Sequence, residues 1–273
     1  MSRSYRDCVC VITGSGSGIG RSLALQLGAQ GAIVELSDVD AARADAVAAE
    51  ITAAGGTATA TQLDVTDADA VGAYAERVFA DHGRVDLLCN NAGVGHAGGV
   101  VETPLEDWHR VIDVNLYGVI HGLHHFVPKM IETGRPGTII NTASLAGLVA
   151  AQDMAPYSAT KFAVVGISES LDLELKEHGI RVSALCPGFI DTDIVRTSTV
   201  RGEMAERHEG LTRFYATRGT SPDVVARQAL AAAGRKRIIP SPRHQVATAW
   251  LAQRYAPALG RAITSAFTKR VGR

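Results

Sequence analysis

Short apolar runs alternate along the chain with longer stretches whose apolar residues recur every three or four positions. The runs 7–13 (DCVCVIT), 32–38 (AIVELSD), 57–63 (TATATQL), 85–90 (VDLLCN), 137–144 (GTIINTAS) and 180–188 (IRVSALCPG) read as strands. Helical periodicity fills the intervals at 21–30, 41–54, 68–82 and 104–133, and again from Tyr157 onward. Strands alternating with helices of this length predict βαβ units and one parallel sheet. Right-handed crossovers bring the carboxyl end of every strand to one edge, where a ligand crevice forms. Thr13, Asp38, Asp64 and Asn90 all fall at that edge.

The first strand runs directly into Gly14-Ser15-Gly16-Ser17-Gly18-Ile19-Gly20, then a helix, then a strand ending at Asp38. Glycines at 14, 18 and 20 allow a tight turn, close approach of backbone to a pyrophosphate and close packing of helix on sheet; the pyrophosphate sits at the positive end of the helix. Asp38, eighteen residues beyond Gly20, is placed to accept hydrogen bonds from the adenosine ribose hydroxyls. Its carboxylate would repel a ribose 2′-phosphate, and Val39 and Asp40 follow it rather than a basic residue, so NAD is expected over NADP. Arg43 lies further on and could swing back. Asp64 is read either as a helix cap or as a partner of the adenine amino group.

A second cluster lies at 144–161 (SLAGLVAAQDMAPYSATK), where Ser144 precedes Tyr157 by thirteen residues and Lys161 follows it by four. Four-residue spacing puts Tyr157 and Lys161 on one helix face, and an ammonium beside a phenol favours the phenolate. Asn115, in the middle of the 104–133 helix, is a poor local choice for a helix and hints at a side-chain task. The topology delivers the glycine loop, Asn90-Asn91, Ser144 and Pro187-Gly188 to the same crevice as Tyr157.

Composition narrows the picture. The 46% hydrophobic content and 28 glycines over 273 residues suit one large α/β domain with a buried sheet. Aromatics are 5%, which argues against base-stacking platforms, and no nucleic-acid partner is expected. Cys8, Cys10, Cys89 and Cys186 sit in apolar runs without metal-type spacing and read as buried thiols of a cytoplasmic protein. No apolar run approaches the roughly 18 residues of a membrane span.

Together Thr13-Gly14-Ser15-Gly16-Ser17-Gly18-Ile19-Gly20, Asp64-Val65, Asn90-Asn91-Ala92-Gly93, Asn115, Ser144, Tyr157-Ser158-Ala159-Thr160-Lys161 and Pro187-Gly188 resemble the short-chain dehydrogenase/reductase family, over about 7–240. The resemblance implies a single-domain, Rossmann-type, doubly wound parallel α/β sheet of about seven strands, with helices on both faces and the last strand at 237–239. It implies a catalytic set of Asn115, Ser144, Tyr157 and Lys161. Tyr157 would be the general acid/base and Ser144 would polarise the substrate oxygen. Lys161 would lower the Tyr157 pKa and hold the nicotinamide ribose, while Asn115 would tether a relay water. It implies cofactor contacts from Gly14, Ser17, Gly18, Ile19 and Gly20, from Asp38, Asp64 and Val65, and from Asn91, Ala92 and Gly93. Tyr157, Lys161, Pro187, Gly188, Ile190 and Thr192 complete that set, with Thr192 on the carboxamide. The expected reaction interconverts a secondary alcohol and a ketone, with an NADPH-dependent carbonyl or 3-oxoacyl reductase, or a non-catalytic dinucleotide sensor or scaffold, as alternatives.

In such proteins the segment at about 190–217 is a substrate lid, and its apolar residues hint at an apolar substrate. His96 borders either the substrate or solvent. His121, His124 and His125 lack a completing Cys or carboxylate, so no metal is expected; a subunit interface, in a homodimer or homotetramer, is the better account of them. From Val224 onward there are ten Lys/Arg and no Asp/Glu, and the preceding residues carry the compensating −11. The extension at 241–273 reads as two basic amphipathic helices divided at Pro257. They cover the pocket of this or a neighbouring subunit in preference to lying on an anionic membrane.

Overall fold

The computed structural model describes residues 4–256 and Ala258; the second helix read in the extension, with Leu259, Ile263 and Phe267, lies outside them. In chain order the elements begin β1 (Val9–Thr13), α1 (Gly18–Gly28), β2 (Ile33–Asp38), α2 (Ala41–Ala53), β3 (Thr57–Gln62), α3 (Ala68–His82) and β4 (Leu87–Asn90). A two-residue β5 (His96–Ala97) precedes α4 (Leu105–Ile112), a π-helical turn (Asp113–Tyr117) and α5 (Gly118–Glu132). Then come β6 (Gly137–Thr142), α6 (Ala155–Glu174), β7 (Ile180–Pro187), α7 (Asp193–Thr197), β8 (Thr199–Val200), α8 (Glu203–Glu206) and α9 (His208–Arg218). The chain continues through α10 (Pro222–Ala232), β9 (Ile238–Ser241) and α11 (Arg243–Tyr255).

Seven strands form one sheet in the order β3-β2-β1-β4-β6-β7-β9, every neighbouring pair parallel. The order reverses between β1 and β4, the switch point where doubly wound folds open their crevice. Alternate residues of β1 serve opposite faces, as a central strand requires. Cys10 and Ile12 meet Leu23 and Leu27 of α1, Val47 and Ile51 of α2 and Val225 and Leu230 of α10. Val9 and Val11 face the side covered by Tyr74 and Val78 of α3, Phe126 and Met130 of α5 and Val164 of α6.

Local chemistry sets the boundaries. Asp40 and Asp67 cap α2 and α3 by accepting from the Arg43 and Ala70 amides, and Gly83 closes α3 at φ 67°. Asp67, not Asp64, is therefore the cap of α3. The 104–133 helix is interrupted: the π turn carries Asn115, and such turns mark functional sites. The 190–217 segment folds into three short helices and β8, which pairs in parallel with β5. Of the extension, α11 seats Val246, fully buried, and packs Ala249 and Trp250 against the core.

One histidine reading changes. His96 is fully buried in β5, its Nε2 3.3 Å from Asp107 Oδ2, and so is neither solvated nor among the residues lining the crevice. Burial lowers its pKa, with the Asp107 carboxylate pulling the other way. His121 has an intrachain task, its Nδ1 lying 2.9 Å from the Val65 carbonyl. The His124 and His125 rings meet edge to face at 4.8 Å.

Candidate active site

The strand ends enclose a cavity of about 1110 Å³. Its floor is the glycine loop, built so that backbone is exposed to a ligand: Gly14 and Gly18 adopt φ 63° and 52°, and a Cβ on Gly14 would stand 2.7 Å from Ala92 Cα. Thr13 Oγ1 accepts from the Asn91 and Ala92 amides, while Asn91 Nδ2 donates to the Thr13 and Gly14 carbonyls. These bonds lock the loop to the end of β4. Asp38 Oδ2 accepts from the Gly16 amide at 2.8 Å, so the carboxylate stands at the loop's rim, where a ribose would lie. Arg43 also lines the cavity, but its Nε is 3.2 Å from Asp40 Oδ2. Asp64 Oδ1 accepts from the Thr66 amide and hydroxyl, leaving the residue in the cavity wall.

All the cofactor candidates read from the sequence line this cavity except Gly20. Gly20 sits beneath the loop: a Cβ there would overlap the Gly14 carbonyl and fall 2.6 Å from Asn91 Nδ2. Its task is close packing. Overpacking of this kind costs roughly 1–3 kcal/mol, so Gly20→Ala is expected to weaken dinucleotide binding about tenfold, read by fluorescence titration. Unchanged affinity would remove Gly20 from the cradle.

At the other end of the cavity stand Ser144, Tyr157 and Lys161. Ser144 begins a short turn by accepting from the Ala146 amide at 3.1 Å, and its hydroxyl lies beside that of Tyr157. Lys161 Nζ is buried, donates to the Thr142 carbonyl at 2.9 Å and lies 5.6 Å from the Tyr157 ring centroid. Burial pushes the Tyr157 phenol above its ordinary value and the Ser144 hydroxyl pulls it down, while the Lys161 ammonium lies over the ring. Burial also depresses the Lys161 ammonium itself, to about 8.

Asn115 is fully buried outside the cavity lining, and its amide is committed to Val94: Oδ1 accepts from the Val94 amide at 2.8 Å and Nδ2 donates to its carbonyl at 2.9 Å. A Cβ on Gly93 would stand 3.0 Å from Asn115 Oδ1 and 3.5 Å from Lys161 Nζ, so the three residues adjoin. Thr142, which anchors Lys161, was missed; its position at the end of β6 was the available signal. Thr192 Cγ2 lies 3.1 Å from the Cβ position of Gly18, closing the 190–218 segment over the loop.

Comparison with known proteins decides the lineage: the family model for short chain dehydrogenases matches residues 8–201. The chain belongs to the short-chain dehydrogenase family. It has the Rossmann-type fold of that family. Among its relatives, a probable oxidoreductase, EphD, of Mycobacterium tuberculosis is 40% identical over 241 residues, 86% of this chain and 41% of EphD. The chain thus spans about two fifths of that relative's length. The cyclohexanol dehydrogenase of an Acinetobacter strain is 38% identical over 209 residues, 76% of this chain and 82% of that protein. The crystal structure of a short-chain dehydrogenase/reductase from Burkholderia phymatum in complex with NAD superposes with a TM-score of 0.83 at 33% identity, covering 90% of this chain and 92% of that one.

Proposed function

We propose that this short-chain dehydrogenase interconverts a secondary alcohol and a ketone with NAD, the alcohol being largely apolar. The observation that carries the reading is the placement of Ser144, Tyr157 and Lys161 at one end of a single cavity whose other end is the glycine cradle rimmed by Asp38. Bare backbone at Gly14 and Gly18, amide donors and a carboxylate for sugar hydroxyls fit a dinucleotide. Once bound, that cofactor supplies the hydride acceptor, and the chain supplies placement and proton management.

In this reading the alcohol oxygen sits between the Ser144 and Tyr157 hydroxyls. Tyr157, as phenolate, takes the O–H proton while the carbinol C–H electron pair leaves as hydride and the C=O bond forms. Ser144 donates to the same oxygen and holds its lone pairs in line. Lys161, fixed by Thr142, holds the nicotinamide ribose and presents its ammonium on the ring side of Tyr157. The Asn115 side chain bonds both main-chain groups of Val94 and so fixes the π turn beside Gly93 and Lys161. The substrate half of the cavity is walled by Leu145, Val149, Met154, Phe189 and Leu211, and the 190–218 segment acts as its lid.

The test is NADH formation from a panel of secondary alcohols, cyclohexanol among them, with NAD and NADP compared. Turnover with higher kcat/KM for NAD is expected. A clear NADP preference would remove the role given to Asp38, and no turnover across the panel would remove the reaction.

A further inference from the structure

The substrate half of the cavity receives two helices from beyond the 8–201 stretch shared with the family: α9 brings Tyr215 and α11 brings Gln245. Both place polar atoms in an apolar wall without protein partners. The Tyr215 ring is held edge-on by Phe189, with centroids 5.5 Å apart at 77°, and by Phe214 at 6.0 Å. Among the described residues its hydroxyl has no hydrogen-bond partner; burial raises its pKa, and the nearby Tyr157 hydroxyl raises it further. Gln245 Oε1 is buried, also without a partner among the described residues, and stands 3.4 Å from where a Cβ on Gly188 would be. Gly188 and Phe189 are consecutive, so the amide and the phenol flank one strip of wall beside the reacting hydroxyls.

An unmade hydrogen bond at a buried acceptor costs about 1–3 kcal/mol. A plain hydrocarbon alcohol would seal both groups off and leave that cost standing. A substrate with a second oxygen next to the carbinol relieves it, because a hydroxyl donates to one group and accepts from the other. We propose that Tyr215 and Gln245 read a second oxygen of the substrate, close to the carbon that reacts, so that the substrate class is a bulky apolar alcohol bearing a neighbouring hydroxyl. The proposal rests on the secondary-alcohol reading of the same cavity.

The test compares the wild-type chain with Tyr215→Phe, Gln245→Leu and the double variant, using cyclohexanol and trans-1,2-cyclohexanediol as probes. Two quantities are read: the diol-to-cyclohexanol ratio of kcat/KM for NADH formation, and the ratio of binding constants from calorimetry in the presence of NAD. The wild type is expected to prefer the diol by both measures, and the double variant to lose about tenfold of that preference, as a site built for a hydroxyl does when its partner group is removed. Equal ratios in all four proteins, a wild-type preference for cyclohexanol, or binding of neither probe would overturn the inference. If neither probe yields NADH while calorimetry still shows a diol preference that the variants lose, the dehydrogenase reading fails and the second-oxygen site stands.

Discussion

Tyr157→Phe is expected to lower kcat/KM for alcohol oxidation by about 10²–10⁴-fold, the range over which a positioned general base acts, while dinucleotide affinity stays within a small factor of wild type. The reasoning is geometric. The substitution removes one oxygen beside Ser144 and leaves the ring on which Lys161 lies at 5.6 Å. Lys161 keeps its bond to Thr142, and the glycine cradle at the far end of the cavity is untouched. Steady-state rates together with fluorescence titration of NAD separate the two quantities. Turnover near wild type would take Tyr157 out of its role; lost affinity would mean that the phenol oxygen serves binding rather than proton transfer. In the protein burial raises the phenol and the Ser144 hydroxyl lowers it, with the Lys161 ammonium over the ring. Bound NAD would add the positive charge of its nicotinamide ring to the site, which favours the phenolate. The proton-transfer pKa is therefore expected to be lower in the NAD complex than in the free protein, and the pH profiles of kcat and kcat/KM should report it.

The glycine-loop half of this cavity was legible because its signals are local. Strand, glycine loop, helix and acidic residue follow one another within β1 to β2, and parallel topology carries Asn91, Ser144 and Gly188 to the same edge without further information. Gly20 lies outside the cavity lining and does the packing task of the loop pattern, letting the helix close on the loop. The substrate half was not legible. The bond from Arg201 to Asp107 spans 94 positions, and β5 and β8 have two residues each, too few to show a period. The π turn inserts one residue into a helical pattern whose period tolerates it, so Asn115 was noticed as anomalous while its partner, Val94, was not. Burial of His96 depends on that same β5–β8 pairing.

Asp172→Asn is expected to destabilise the fold by about 3 kcal/mol, the low end of the cost of removing one partner of a buried ion pair. Asp172 is fully buried on α6, the helix that carries Tyr157 and Lys161. Its Oδ1 accepts from Arg181 Nε and the Val182 amide at 2.9 and 3.0 Å, and its Oδ2 accepts from Arg181 Nη2 and Arg237 Nε at 3.0 and 2.9 Å. One carboxylate thus clamps α6 to β7, whose far end supplies Pro187, and to the approach of β9. The low end applies because both arginines are partly exposed and can rehydrate when the carboxylate is gone. Burial alone would raise the Asp172 pKa, but the bonds from Arg181, Val182 and Arg237 overcome it and hold the group below its ordinary value. A carboxylate depressed in the folded state contributes stability above its unfolded pKa, about 3.9, and that contribution is lost as the pH falls through the lower folded value. Urea melts at neutral pH should therefore show the full difference between wild type and Asp172→Asn, and melts at successively lower pH should show it shrinking as Asp172 protonates. A difference that persists unchanged through the acid range would mean that packing, not charge, holds α6 against the sheet.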